Sequence, residues 1–190
     1  MLSIFFLIVM GSHPQVATGA EIANACFRDA VATGYSQSDA SSICGPDVSA
    51  VCYLEARKNG FDVRDSAQIC GNYVSKSCFT QARRIGYALR DAASICAQGV
   101  GDACFNNAYK TGYDLRDSAD ICRNFVSDAC YLDAHTTGYD VRDSAEICKN
   151  NVEEKCYLQA RHSGLNVRDS ADKCRIHTLN DANSLQSLVF

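Results

Sequence analysis

Apolar and polar positions along this chain recur every 26 residues. Cys26, Cys52, Cys78, Cys104, Cys130 and Cys156 form one series, and Cys44, Cys70, Cys96, Cys122, Cys148 and Cys174 form a second. Neither series carries an insertion. An aromatic follows each cysteine of the first series (Phe27, Tyr53, Phe79, Phe105, Tyr131, Tyr157), alanine stands four residues after it, and glycine eight after it. A fixed period of this length is the mark of a repeat architecture, in which one supersecondary unit stacks on copies of itself.

Each period predicts a pair of helices. In the second repeat Val48, Val51, Cys52, Leu54 and Ala56 trace an approximate helical face. Gly60 stops that helix, because glycine adopts the left-handed C′ conformation without a Cβ clash. Phe61 follows, where an apolar residue packs back on the last turn. Asp65 reads as the N-cap of a second, shorter helix through Ala67, Ile69 and Cys70. Gln68 stands at capping-box spacing from it, as Glu146 does from Asp143. Gly45-Pro46-Asp47, Gly71-Asn72 and Gly99-Val100-Gly101 predict a break before the next repeat, with Pro46 suited to the first turn of a new helix. The competing arrangement is one long helix per repeat from the Asp cap to the next Gly. Arg123, Asn124 and Phe125, just after Cys122, do not exclude it.

The expected fold class is all-α: an α-solenoid of six tandem 26-residue helix-turn-helix repeats, stapled by disulfides, over residues 21–177. Its repeats start at Cys26, Cys52, Cys78, Cys104, Cys130 and Cys156. The apolar run Leu2 to Met10, followed by Ala17, Thr18, Gly19 and Ala20, reads as a secretory signal peptide over 1–20. The run is too short to span a bilayer core, which needs about 20 residues, so no membrane anchor is expected after cleavage. Residues 178–190 lose the pattern and read as a C-terminal cap or disordered tail.

Export and an even number of cysteines point to an oxidising compartment, extracellular or periplasmic, and to disulfides. Two regular pairings are open: within a hairpin (Cys52 to Cys70) or between hairpins (Cys70 to Cys78). Loop entropy hardly separates them, at about 3 kcal/mol for the longer loop and about 0.7 less for the shorter. Parity favours Cys26–Cys44, Cys52–Cys70, Cys78–Cys96, Cys104–Cys122, Cys130–Cys148 and Cys156–Cys174, since the alternative strands Cys26 and Cys174. The eight-residue spacing of Cys70 and Cys78 resembles the layout of secreted cysteine-rich helical-repeat proteins, in which such a pair staples two helices. Their repeats are longer, and the resemblance implies no activity. Spacings of eight and eighteen do not fit zinc pairs, so neither metal nor cofactor is expected.

No nucleophile elbow, HExxH, phosphate loop or dinucleotide fingerprint occurs. An active site is a unique constellation, whereas here the same polar residues return five or six times, so an enzyme is not expected. Charged residues make up 21% of the chain and the net charge is −4, which offers no bulk attraction to nucleic acid. Arg64, Arg90, Arg116, Arg142 and Arg168 form a column able to meet a repeating anionic glycan. The stronger expectation for them is structural, as ion pairs with neighbours such as Asp62, Asp114 and Asp140. Arg57, Arg83 and Arg161 share a variable column with Tyr109 and His135, as an exposed partner-reading surface or a solvated face would. The function expected first is a protein- or glycan-binding module. After it come a structural or protective envelope protein, and an enzyme or enzyme inhibitor using non-repeating surface residues.

Overall fold

A computed structural model describes residues 19–176. The expected tail at 178–190 and all but the last two residues of the expected leader lie outside that range. The described chain is six antiparallel helical hairpins stacked in sequence order: α1 (Gly19–Ala32) with α2 (Gln37–Ile43), α3 (Ala50–Lys58) with α4 (Val63–Cys70), α5 (Lys76–Arg84) with α6 (Leu89–Ile95), α7 (Asp102–Lys110) with α8 (Leu115–Ile121), α9 (Asp128–Thr136) with α10 (Val141–Cys148), and α11 (Glu154–His162) with α12 (Val167–Lys173). Among the described residues there is no strand, and the one β-bridge joins Val152 to Arg175. No described helix is long and apolar enough to cross a membrane.

The repeated columns become the core. Tyr53, Phe79, Phe105, Tyr131 and Tyr157 are fully buried, with alanines Ala56, Ala82, Ala108, Ala134 and Ala160 and valines Val74, Val100, Val126 and Val152 packed around them. A column of small residues (Ala40, Ser66, Ala92, Ser118, Ser144, Ser170) lets the helices approach closely. Leu54 departs from expectation: it is exposed, because the buried face of α3 runs through Ala50, Cys52, Tyr53 and Ala56.

Every disulfide closes one hairpin, in the six pairs that parity favoured, with Cα–Cα distances of 5.5 to 5.6 Å. A backbone bond sits at the same open end, as in Ser49 N–H to Cys70 O at 2.8 Å and Ser75 N–H to Cys96 O at 2.9 Å. At the other end the glycine column does what was expected. Gly60 has φ +88°, and Phe61 N–H bonds back to Ala56 O at 3.2 Å, a Schellman closure.

Two expectations about helix starts are corrected. The cap of each second helix lies three residues earlier than Asp65 and Asp143: Asp62, Asp114 and Asp140 accept from the amides of Asp65, Asp117 and Asp143 at 2.8 Å. The helix starts early because Val63, Leu115 and Val141 at its first position are buried in the core. The Asp65 column therefore sits inside the first turn, where a carboxylate opposes the positive end of the dipole. Pro46 lies in the turn ahead of α3 and not in its first turn.

The break between hairpins is real, and two consecutive left-handed residues make it: Asn72 and Tyr73, Gln98 and Gly99, Asn124 and Phe125, Asn150 and Asn151. These loops bond to one another in register. Tyr73 N–H donates to Asp47 O, Gly99 to Tyr73, Phe125 to Gly99, and Asn151 to Phe125, at 2.8 to 3.3 Å. A backbone ladder thus runs along one edge of the stack, beside the entry of each first helix.

Candidate functional site

The five column arginines are exposed, and each guanidinium lies over the aromatic ring of the preceding turn. Arg64 covers Tyr35, Arg90 Phe61, Arg116 Tyr87, Arg142 Tyr113 and Arg168 Tyr139, at 5.1 to 5.6 Å from the ring centroids. None makes an ion pair among the described residues. The expected partners Asp62, Asp114 and Asp140 are instead engaged as caps, so cation–π stacking between repeats takes the place of ion pairing.

Arg57, Arg83 and Arg161 are not a free surface. Each is half-buried and bridges to the preceding repeat, at Asp29, Glu55 and Asp133 respectively. Burial alone would raise the carboxyls of Asp29 and Asp133; the bonds from Tyr53 and Arg57, and from Arg161 and Tyr157, outweigh it and hold both below the usual carboxylate range. Burial, and next the bond to the carboxylate, push the hydroxyls of Tyr53 and Tyr157 well above the ordinary tyrosine value.

A groove of about 490 Å³ runs along the loop ladder. Two large residues there hold left-handed backbone, Tyr73 at φ +54° and Phe125 at φ +55°. That region is costly for a bulky side chain, and the same column carries Gly99 and Asn151, which enter it cheaply. The two rings come from loops two repeats apart and still meet edge to face, with centroids 5.0 Å apart and planes at 76°. They meet because Gly99 stands between them: a Cβ there would lie 2.5 Å from Phe125 Cδ1.

The facing wall carries Asp102, Asp128 and Glu154, one from the start of each successive first helix. Asp102 accepts from Ser75 Oγ at 2.5 Å and from Ser77 N–H at 3.1 Å, and Asp128 accepts from Ala103 N–H at 3.0 Å. Each aspartate so caps the helix of the repeat before its own, which α7 requires because Gly101 has no side chain to cap it. Burial raises the Asp128 carboxyl, the Ala103 N–H opposes that, and the charges of Asp102 and Glu154 add to the rise. No Lys or Arg lines the groove. Ring faces beside carboxylates with no side-chain cation among the groove's lining can accept one.

Sequence reasoning did not single out this site. Its trace was visible: Asp47, Tyr73, Gly99, Phe125 and Asn151 form the column that varies most in size and chemistry. Comparison of the chain with protein-family models, with curated proteins and with solved structures finds no match.

Proposed function

We propose that the protein is a secreted interaction scaffold that holds a protein partner by a basic segment lying in the groove of Tyr73, Phe125, Asp102, Asp128 and Glu154. The observation that carries this reading is the pair of aromatic rings kept in left-handed backbone at the surface, where Gly99 and Asn151 show that cheaper residues fit. Strain of this kind costs about 1–2 kcal/mol per residue, and it is retained here at a concave site with three carboxylates. Stacked, covalently closed hairpins hold such a groove rigid, so that little ordering entropy is lost on binding. The six disulfides favour an oxidising compartment, which supports export.

Along the arginine edge the guanidiniums are stacked on rings, and the Asp65 column sits beside them, so that edge is close to neutral. The anionic glycan accordingly takes second place to a protein. Titration calorimetry at low and physiological salt against a lysine-rich peptide, a glutamate-rich peptide of equal length and a sulfated polysaccharide tests the assignment. Saturable binding of the lysine-rich peptide alone is expected, lost in Tyr73→Asn with Phe125→Asn and weakened about tenfold or more in Asp102→Asn with Glu154→Gln. Binding of the polysaccharide that disappears in Arg90→Glu with Arg116→Glu would install the arginine column as the site instead.

A further inference from the structure

All six disulfides lie inside hairpins, so no sulfur bridge holds one hairpin on the next. Besides the loop ladder, the Asp102 and Asp128 caps and the stacked arginines, each interface between first helices carries a polar set at three positions: the third residue after the first cysteine of one repeat, and the first and fifth residues after the first cysteine of the next. Between α1 and α3 these are Asp29, Tyr53 and Arg57. Tyr53 Oη and Arg57 Nε both donate to Asp29 Oδ2 at 2.6 Å. Between α3 and α5 they are Glu55, Phe79 and Arg83, with Arg83 Nε donating to Glu55 Oε1 at 2.5 Å. Between α5 and α7 they are Gln81, Phe105 and Tyr109, with Gln81 Nε2 donating to Tyr109 Oη at 2.9 Å. Between α9 and α11 the first set returns as Asp133, Tyr157 and Arg161, again with two bonds of 2.6 Å.

The changes are matched across each interface. A short Asp or Asn meets tyrosine and a longer Glu or Gln meets phenylalanine, since only the short side chain leaves room for a hydroxyl. An acid meets arginine, and an amide meets an uncharged ring or histidine. The second and sixth hairpins present the same tyrosine and arginine and could exchange partners; most other changes of neighbour would bring an acid against a neutral ring, or an arginine against an amide, in half-buried surroundings.

The junction between α7 and α9 stands apart. Its residues are Asn107, Tyr131 and His135. The Tyr131 hydroxyl is buried without a hydrogen-bond partner, and the Asn107 amide lies close to it but outside hydrogen-bond geometry. His135 stacks on Tyr131, with centroids 5.9 Å apart, and its Nδ1 lies 3.1 Å from Tyr139 O in its own turn. Arg57 and Arg161 make the corresponding contact to Phe61 O and Leu165 O. His135 therefore keeps the arginine's bond within the repeat and lacks its bond to the repeat before. Among the described residues no hydrogen bond joins Asn107 to either partner.

We infer that these three positions, matched across each interface, set its strength, and that the array opens first between the fourth and fifth repeats, at Asn107, Tyr131 and His135. In a stack of repeats stability is close to a sum of unit and nearest-neighbour contributions, so one weak neighbour contact becomes the point of opening. The other interfaces with tyrosine have two charge-assisted bonds in this place, and this one has an orphaned hydroxyl. The inference uses residues outside the groove and stands or falls without it.

Native-state hydrogen exchange on the full, disulfide-intact chain tests it. Exchange across the α7–α9 junction is expected to be about tenfold faster than across α3–α5 and α9–α11, each of which has a carboxylate–arginine pair. Asn107→Asp with His135→Arg rebuilds the Asp133 set and should slow that junction by about the same factor. Asp133→Asn with Arg161→His should move the fastest opening to α9–α11. Asn107→Glu with His135→Arg, which sets a long acid against a tyrosine, should rescue less than the aspartate version. Equal exchange at the three junctions, or exchange that ignores these swaps, overturns the inference. So does failure of the Asn107→Asp, His135→Arg chain to fold, because the same three side chains already pack at α9–α11.

Discussion

Gly99→Ala tests the geometry of the groove most directly. Two costs are expected. Alanine in the left-handed region at φ +63° loses about 1 kcal/mol relative to glycine. The new Cβ also meets three atoms of the Phe125 ring at 2.5, 2.7 and 2.8 Å, distances that real Cβ atoms do not keep, so the ring must swing away. Its edge-to-face contact with Tyr73 goes with it, at about 0.5–1.5 kcal/mol. The total is about 1.5–2.5 kcal/mol, read as a shift of denaturant midpoint at unchanged slope with the disulfides intact. In a Phe125→Asn background the ring is gone, and the same substitution should cost only the backbone share of about 1 kcal/mol. Binding of the lysine-rich peptide should fall in Gly99→Ala even where the fold is retained. Equal cost in the two backgrounds would refute the account of Tyr73, Gly99 and Phe125 as one packed unit.

Three further outcomes are expected. Asp140→Ala should cost about 1 kcal/mol in thermal unfolding, as loss of a helix cap does, and Asp143→Ala less, because it removes only a dipole interaction. Replacing Cys104 and Cys122 together by serine should cost about 3 kcal/mol, read from denaturant midpoints, and should loosen the fourth hairpin while the others keep their bridges. Asp29 and Asp133, whose folded carboxyls titrate below the ordinary value, contribute stability that is complete above that value and is lost as pH falls through the folded one. Tyr53 and Tyr157, held above theirs, act with the opposite sign: their contribution is complete below about pH 10 and fades as pH rises beyond it. Denaturant midpoints across pH should therefore sag at both ends. Asp29→Asn with Asp133→Asn should flatten the acid side, and an unchanged acid limb would count against these bonds.

The sequence made the hairpins legible because glycine, cysteine and the buried aromatic recur at one period, and a constraint met six times leaves little freedom. Parity then found the cysteine pairing. The cap was misread because Asp62 and Asp65 are equally good cap residues on paper; burial of Val63, which only packing decides, starts the helix early. The arginine column was visible, but its partner was not, since Tyr35 and Arg64 lie 29 residues apart and meet only when hairpins stack. Arg57 and Asp29 were hidden for the same reason. Tyr73 and Phe125 were hidden differently. Nothing in a sequence announces that a bulky residue will take left-handed backbone, and the column hints at it only through its small members, Gly99 and Asn151.

The invariant and the varying columns divide the work between them. Residues that repeat without change, the cysteines, glycines and alanines, close each hairpin and make every unit alike, and the short loops between units stack them in chain order. Differences in strength between junctions, and the recognition proposed above, rest on positions that break the repeat. One such set, Asp29 through Arg161, lies between hairpins and is matched pair by pair, as an internal contact must be. The other, Tyr73, Gly99 and Phe125 with Asp102, Asp128 and Glu154, lies at the loop edge and has carboxylates with no cation opposite them. Variation that finds its complement inside the molecule is spent on assembly. Variation that does not, and is held at the surface in strained backbone, is where the proposed basic partner would supply positive charge.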